Sequence, residues 1–325
     1  MINRRDLLCV APALAATTFA GSAFAQSGFP NRPIRIIVGN AAGGTDDIIS
    51  RHVADKLTKE WGQPVIVENR GGGSTTIAGA HVASSPPDGY TLMCLINTGI
   101  NQTLLRDKLP YRLSSFVPVA GAGGFPVALA VSAIATPKIT TLQELAAASR
   151  AADGVTYASG GVGTMGHLTC TRLLNAFNGK GIHVTYRNNP EGLQALIGGH
   201  TQMMIASASE VSALRGEDKL RVLAVAAPQR AVNLPDVPTF AELGMQDFNV
   251  VLWHGFVAPA GTPPDIVAKL ADAIGRALKD AEFLARYRPL AFQDNVQTGE
   301  ALSAFINGEA TRWKKVIVDN KIVVE

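Results

Sequence analysis

The sequence has few cysteines, few aromatic residues and little charge. Of its 325 residues, three are cysteine, 6% are aromatic and 17% are charged. Only Cys94 and Cys170 lie beyond the N-terminal segment, and two cysteines are too few for the disulfide framework of a small secreted scaffold. We expect both to be buried free thiols. Because 47% of the residues are hydrophobic, the chain is also not of the disordered class, and aliphatic side chains must form its core.

Basic clusters and catalytic motifs are missing as well. The net charge is +3, and no run of lysine or arginine exceeds two residues, so we expect no nucleic-acid partner. The six histidines lack the spacing of a zinc site. Neither the G-x-S-x-G motif of hydrolases nor a phosphate-binding loop occurs. These absences predict no catalytic residues, no metal, no cofactor and no enzyme activity.

The first 25 residues have the pattern of an export signal. Arg4 and Arg5 precede an almost wholly apolar run, Leu7–Ala20, and Ala23-Phe24-Ala25 has the small residues of a cleavage site. We expect cleavage after Ala25 and an exported product. The paired arginines leave open whether the general secretory or the twin-arginine route is used. No later apolar run is long enough to span a bilayer.

Beyond this segment, short apolar strands alternate with amphipathic helices in two units. The first unit begins with a strand at Ile34–Val38, a loop, and a helix from Thr45. The second begins near Phe125. Such alternation is typical of open α/β sheets with right-handed crossovers. We predict two α/β lobes joined by a hinge around a cleft, with residues 26–124 and 250–325 in lobe 1 and residues 125–249 in lobe 2.

Each unit has a glycine-rich loop between a strand and a helix. In the second unit, Gly161–Gly166 has the G-x-G-x-x-G pattern of dinucleotide sites, but no acidic residue lies between Asp153 and Glu191, where a NAD site has one. Because Arg187 is a candidate partner for the 2′-phosphate of NADP, an NADP-dependent enzyme remains an alternative. Unpaired N–H groups at the start of a helix bind anions in any case, so both loops favour a site for a small carboxylate.

Several segments together resemble the Bug-type solute receptors of tripartite tricarboxylate transporters. The similar segments lie along nearly the whole chain after the signal and have the family's order: Gly62–Arg70 (GQPVIVENR), Pro87–Leu92 (PDGYTL), Tyr157–Leu168 (YASGGVGTMGHL), Leu234–Thr239 (LPDVPT) and Ala258–Pro263 (APAGTP).

This resemblance implies a two-lobed, periplasmic-binding-protein-like (type II) fold and a location in the periplasm. It also implies a receptor, expected to be a monomer, that closes on a small carboxylate and delivers it transiently to membrane permease subunits. A receptor that feeds a membrane signalling partner remains an alternative. In the family, the two glycine-rich loops and the segment after the third strand hold the ligand. They correspond here to Ala42, Gly43, Gly44, Thr45, Asp47, Asn97, Thr98, Ser159, Gly161, Val162, Gly163 and Thr164.

Two further candidate residues lie where the chain departs from its relatives. Arg187 follows the next strand after the second loop, where Arg187-Asn188 stands in place of the family's frequent lysine-glycine pair. Ala206 ends Thr201–Ala206 (TQMMIA), where relatives often have VDLMFD, so both acids of that segment are missing. In the first loop, Gly39 and Asn40 replace the usual aromatic residue and proline. These changes predict that the carboxylate-binding loops are retained and that the rest of the pocket differs, so no relative's ligand is carried over.

Overall fold

The computed structural model describes residues 28–215 and 218–323. The predicted export signal and its cleavage site lie outside these ranges. The strands are β1 (Ile34–Val38), β2 (Val65–Asn69), β3 (Thr91–Ile96), β4 (Phe116–Ser132), β5 (Val155–Ser159), β6 (Gly181–Thr185), β7 (Met203–Ser207), β8 (Leu220–Val225), β9 (Val251–Pro259) and β10 (Gln293–Thr298). The α-helices are α1 (Thr45–Trp61), α2 (Thr76–Ala83), α3 (Asn97–Leu105), α4 (Leu142–Arg150), α5 (Met165–Ala176), α6 (Asn189–Ile197), α7 (Ala208–Ala213), α8 (Pro264–Leu278), α9 (Ala281–Tyr287) and α10 (Gly299–Asp319). None of these helices combines the length and hydropathy needed to cross a membrane.

The strands form one mixed sheet that is organised around β4. Its order is β2-β1-β3-β9-β4-β7-β5-β6, and β8 and β10 also pair with β4. The first part of β4, Phe116–Pro126, pairs antiparallel with β9, and the part from Val127 pairs antiparallel with β7 and β8. Parallel strands lie on either side, β1 with β2 and β3 in the first half and β5 with β6 and β7 in the second. The α/β fold is therefore as predicted.

Each half of the sheet has hydrophobic clusters on both faces. Alternate residues of β1 face opposite sides, since Ile36 packs with α1 and α8 while Ile37 packs with α2 and the start of α10. In the second half, Leu129 packs with α4 and α5 and Ala128 with α6 and α7. Later in α10, Trp313 packs in a cluster of the second half. The last helix thus contacts both halves, and the lobe boundaries at residues 125 and 250 stay a prediction.

The structure differs from the sequence-based expectation in three elements. Strand β4 begins at Phe116, nine residues before the predicted start of the second unit, because β9 and β10 flank its glycine-rich part on both sides. Gly123, at φ +98°, and two register shifts give this part the bulges that let it bend. Asn97–Gly99, expected as a loop after the third strand, forms the start of helix α3, and the polar strand β10 was not predicted.

Both cysteines beyond the signal are buried and free, Cys94 in β3 and Cys170 in α5. Burial raises the pKa of each thiol above its ordinary value. Their environment agrees with the expectation of two separate free thiols, because each lies within the hydrophobic cluster of a different half of the sheet.

Candidate ligand-binding site

A cavity of about 80 Å³ lies where several helices begin. First-turn residues line it: Thr45 of α1, Thr98 of α3, Met165 of α5 and Asn189 of α6. Because N–H groups of a first helical turn have no intrahelical acceptor, four helix starts bring N–H donors and positive dipole ends to one space, although the side chains of Thr164 and Asn188 each cap one donor. The cavity has room for several water-sized groups, which suits a small ligand.

The first glycine-rich loop is held by Asp47, which points away from the cavity. One carboxylate oxygen of Asp47 accepts hydrogen bonds from Gly43 N (3.0 Å) and Arg51 Nε (2.9 Å), and the other accepts from Asn69 Nδ2 (2.9 Å). Burial opposes ionisation, but the hydrogen bonds from Arg51, Gly43 and Asn69 hold the pKa of Asp47 below its ordinary value. Asp47 is therefore a positioning residue, since it fixes the loop that forms one wall of the cavity.

Asp46, by contrast, belongs to the cavity wall. Its side chain is 3% exposed, and its Oδ2 accepts a hydrogen bond from Asn40 Nδ2 at 2.7 Å. Burial raises the pKa of Asp46 to about 6, although the hydrogen bond from Asn40 favours the ionised form. Of the two acids in the first turn of α1, Asp46 thus lines the cavity and Asp47 does not.

His254 of β9 contributes a buried imidazole to the same wall. Its Nε2 lies 2.9 Å from Thr45 Oγ1, and its Nδ1 has no hydrogen-bond partner among the described residues. Burial lowers the pKa of His254 to about 3, so the ring is neutral at pH 7. The contact orients the hydroxyl of Thr45 at the start of α1 without adding positive charge.

The second glycine-rich loop uses most of its N–H groups internally. Gly161 N donates to Ser159 Oγ (3.2 Å), Gly163 N donates to His167 Nδ1 (3.1 Å), and Thr164 N donates to Gly161 O (3.3 Å). These three N–H groups already have acceptors within the chain, so their contact with a ligand carboxylate stays a prediction. The loop brings the first turn of α5 to the cavity, with Met165 in its wall.

Three stacked rings contact the second glycine-rich loop through two of their members, His183 and His167. The rings of Tyr157, His183 and His167 lie nearly parallel, with centroids 4.9 Å apart for the first pair and 4.2 Å for the second. His183 Nε2 contacts Ser159 Oγ at 2.7 Å, and burial lowers the pKa of both histidines to about 4. Neutral His167 can accept the hydrogen bond from Gly163, so the stack fixes the loop. Ser159 contacts His183 and is fully buried, which leaves it inaccessible as a nucleophile.

Helix α3, which follows strand β3 of the first half of the sheet, contacts the second glycine-rich loop. Asn101 Nδ2 donates to Gly163 O (3.3 Å), and Gln102 Nε2 donates to Val162 O (2.9 Å). Both side chains are fully buried. These bonds connect the segment after β3 directly to the second glycine-rich loop. The contact was not predicted, because the sequence predicted a loop at Asn97–Gly99 and no helix after it.

Residues 49–322 match the family model described as the tripartite tricarboxylate transporter family receptor (TctC). The chain belongs to this family. It is 30% identical to BugT of Bordetella pertussis over 324 residues, which covers 97% of this chain and 98% of BugT. The periplasmic binding protein BugD superposes with a TM-score of 0.83 at 27% identity, covering 91% of this chain and all of BugD. MatC of Rhodopseudomonas palustris, solved with bound malate, superposes with a TM-score of 0.78 at 31% identity, covering 89% of this chain and all of MatC.

The protein is thus a solute-binding receptor of a periplasmic receptor family, and the predicted resemblance and fold class are confirmed. Its family and its structural neighbours are solute-binding proteins and not enzymes.

The receptor brings five of the predicted site residues to the cavity: Ala42, Gly44, Thr45, Thr98 and Thr164. The other predicted residues lie outside the cavity wall: Gly43, Asp47, Asn97, Ser159, Gly161, Val162, Gly163, Arg187 and Ala206. Asn97 is buried between β9 and α10, where it accepts from Trp253 N and donates to Glu309. Arg187 is exposed, and Ala206 is buried in β7.

Polar residues that were not predicted complete the wall: Asn40, Asp46, Asn188, Asn189, Glu210 and His254. A sequence signal existed for some of them. Ser207-Ala208-Ser209-Glu210 is a capping box, and Asn188 precedes proline and Glu191 at a helix start. Both patterns mark helix N-termini beside the predicted strands. His254 had no such signal, because only the return of β9 beside β3 and β4 places it there.

Proposed function

We propose that the receptor binds a small carboxylate in this cavity and delivers it to the permease subunits of a tripartite tricarboxylate transporter. Family membership and the malate bound to MatC support a carboxylate ligand. In this proposal the chain acts in the periplasm as a monomer, after cleavage behind Ala25.

The observation that carries the proposal is the convergence of helix starts on a cavity to which the described part of the chain contributes no cationic side chain. Among the residues that the structure describes, no lysine or arginine lines the cavity, so we infer that an anion there is held by backbone N–H groups and by the hydroxyls of Thr45 and Thr98. A hydrogen bond to a charged group contributes about 1.5–3 kcal/mol. Two or three such bonds from first-turn N–H groups are enough for specific recognition of one carboxylate.

Closure of two lobes is part of the proposal. Residues 26–124 and 250–325 would move against residues 125–249, with hinges where β4 and β9 cross between the halves. The hydrogen bonds from Asn101 and Gln102 to the second loop would then belong to the closed form. Small-angle scattering should show a smaller radius of gyration with bound ligand than without it. An unchanged scattering curve with a tight ligand would argue against this movement.

A thermal-shift panel of mono-, di- and tricarboxylates, with NADP and NADPH included, tests the ligand class. A ligand at one hundred times its Kd stabilises by about 2.7 kcal/mol, which corresponds to a rise in Tm of roughly 5 °C or more. We expect such a rise with at least one carboxylate and none with NADP(H). A shift with NADP(H) alone would favour the enzyme alternative, for which exposed Arg187 is the remaining candidate phosphate contact.

Delivery to a permease is tested in cells. Deletion of the gene should abolish uptake of the ligand found in the panel, and re-expression of the receptor should restore it. If uptake is unchanged while a transcriptional response to the ligand is lost, the receptor serves a signalling partner.

A further inference from the structure

Asn97 lies between two segments of the cavity wall, although it is not itself one of the residues that line the cavity. Its neighbours along the chain, Ile96 and Thr98, line the cavity from the end of β3 and the start of α3. Leu252 and His254 line it from β9, the strand that pairs with β3. Asn97 is therefore placed to join these two segments.

The side-chain amide of Asn97 makes the join. Its Oδ1 accepts a hydrogen bond from Trp253 N at 2.6 Å, just beyond the last backbone pair of β3 and β9, Ile96 with His254. The amide thus adds one hydrogen bond to the ladder at the point where β3 leads into α3. This bond requires the amide oxygen on the β9 side, because Trp253 N is a donor. A flipped amide would present its NH2 group to that donor and lose the bond.

Glu309 of α10 fixes the orientation of this amide. Its Oε2 accepts hydrogen bonds from Asn97 Nδ2 (2.9 Å) and Trp313 Nε1 (3.1 Å), and its Oε1 pairs with Arg312 at 3.4 Å. Because a carboxylate only accepts hydrogen bonds, the NH2 group of Asn97 must face α10 and the oxygen must face β9. Asn97 and Trp313 are buried, so both donors depend on this carboxylate for an acceptor.

We propose that Glu309 is a positioning residue of the ligand site. It holds the amide of Asn97 in the one orientation that joins β9 to the start of α3, and it thereby keeps this part of the cavity wall in the shape that binds the ligand. Glu309 is not one of the residues that line the cavity, so its effect on affinity passes through Asn97. The inference rests on the proposed function, because it takes this cavity as the place where the carboxylate binds.

Two substitutions of Glu309 separate the orientation of the amide from the presence of an acceptor. The side chain of Glu309 is 13% exposed, so in Glu309→Ala water can take the place of the carboxylate. Water both donates and accepts, so it satisfies the two donors without fixing the amide of Asn97. In Glu309→Gln, the indole N–H of Trp313 can only donate and directs the new amide oxygen to the position of Oε2, where it also accepts from Asn97.

Calorimetry at pH 7.5 with acetate, succinate, malate and citrate as probes measures the consequence. For the probe that binds the wild-type receptor most tightly, Glu309→Ala should weaken binding by about fivefold or more, whereas Glu309→Gln should stay within about twofold of the wild type. Thr141→Ala is the control for stability, because it removes the side-chain cap of α4, a fully described helix that lines no part of the cavity. Its Kd should equal that of the wild type, although urea unfolding shows a loss of stability.

Hydrogen exchange of the free receptor gives a measurement that needs no ligand. The amides at the start of β9 and in the first turn of α3 should exchange faster in Glu309→Ala than in the wild type, and Glu309→Gln should restore slow exchange. The inference is overturned if Glu309→Ala keeps wild-type affinity or exchange, if Thr141→Ala loses as much affinity, or if Glu309→Gln restores neither property. Silence of all four probes with the wild type would refute the proposed function, and the exchange comparison would still decide whether Glu309 fixes the wall.

Discussion

Replacement of Gly163 by alanine tests whether α3 holds the second glycine-rich loop. Gly163 has φ +76°, and an added Cβ would lie 2.4 Å from Gln102 Nε2 and 2.7 Å from Leu105 Cδ1. Gln102 is fully buried and donates to Val162 O, so its amide cannot move aside and keep this bond. The substitution therefore strains the backbone and also breaks a contact between the loop and α3.

The two effects are similar in size but have different consequences. A left-handed conformation costs an L-residue about 1 kcal/mol, and this cost is present in every folded form. Loss of the bond from Gln102 costs about another 1 kcal/mol. If α3 meets the loop only when the receptor is closed, this second cost falls on ligand binding. The expected effect on Kd is then a weakening of roughly five- to tenfold, since 1.4 kcal/mol corresponds to tenfold.

Gly62→Ala is the matched control. Gly62 ends α1 at φ +64°, and an added Cβ there would meet nothing within 4 Å. Urea unfolding should show a loss of about 1 kcal/mol for Gly62→Ala, and calorimetry with the tightest carboxylate of the panel should show an unchanged Kd. In a double-mutant cycle, Gly163→Ala and Gln102→Ala should be non-additive by about 1 kcal/mol, because they disturb the same contact. If Gly163→Ala matches Gly62→Ala in both stability and Kd, the contact between α3 and the loop does not contribute and this reasoning is refuted.

Three further predictions follow from buried polar groups and thiols. Asp47→Ala frees the Gly43 N–H and should weaken carboxylate binding at least tenfold in calorimetry although Asp47 does not line the cavity; full retention of affinity would exclude its positioning role. The pKa of His254 is about 3 in the folded state against 6.5 in the unfolded state, so the unfolded state binds the proton first and stability falls as pH decreases from 6.5 to 3, by on the order of 4 kcal/mol. Urea unfolding across this range should show a flatter pH dependence for His254→Gln; equal slopes would contradict the shift. Cys94 and Cys170 should react with a thiol reagent only after unfolding, and rapid labelling of the native receptor would show that they are accessible.

Much of the fold could be predicted because its elements have strong local signals. The strand Ile34–Val38 is a buried apolar run, and the helix at Leu142–Arg150 has the capping box of Thr141 and Glu144 at its start. Strand β10 was missed because its residues are polar and mostly exposed, so they show no alternating pattern. Helix α3 was missed because Asn97-Thr98-Gly99 favours a turn, whereas in the fold Asn97 is fixed by Trp253 and Glu309.

The sequence by itself determined the family, the α/β class and the two glycine-rich loops, because these depend on residues that are close along the chain. Only the tertiary structure decided which groups face the ligand. The N–H of Gly163 is used by His167, and Asp47 turns to Arg51, through contacts that depend on side-chain direction within a turn. Glu210 and His254 reach the cavity because the order of strands around β4 brings α7 and β9 beside the helix starts. Helix and strand signals act over a few residues, whereas a cavity wall is assembled from segments two hundred residues apart, so its composition follows from sheet topology and packing.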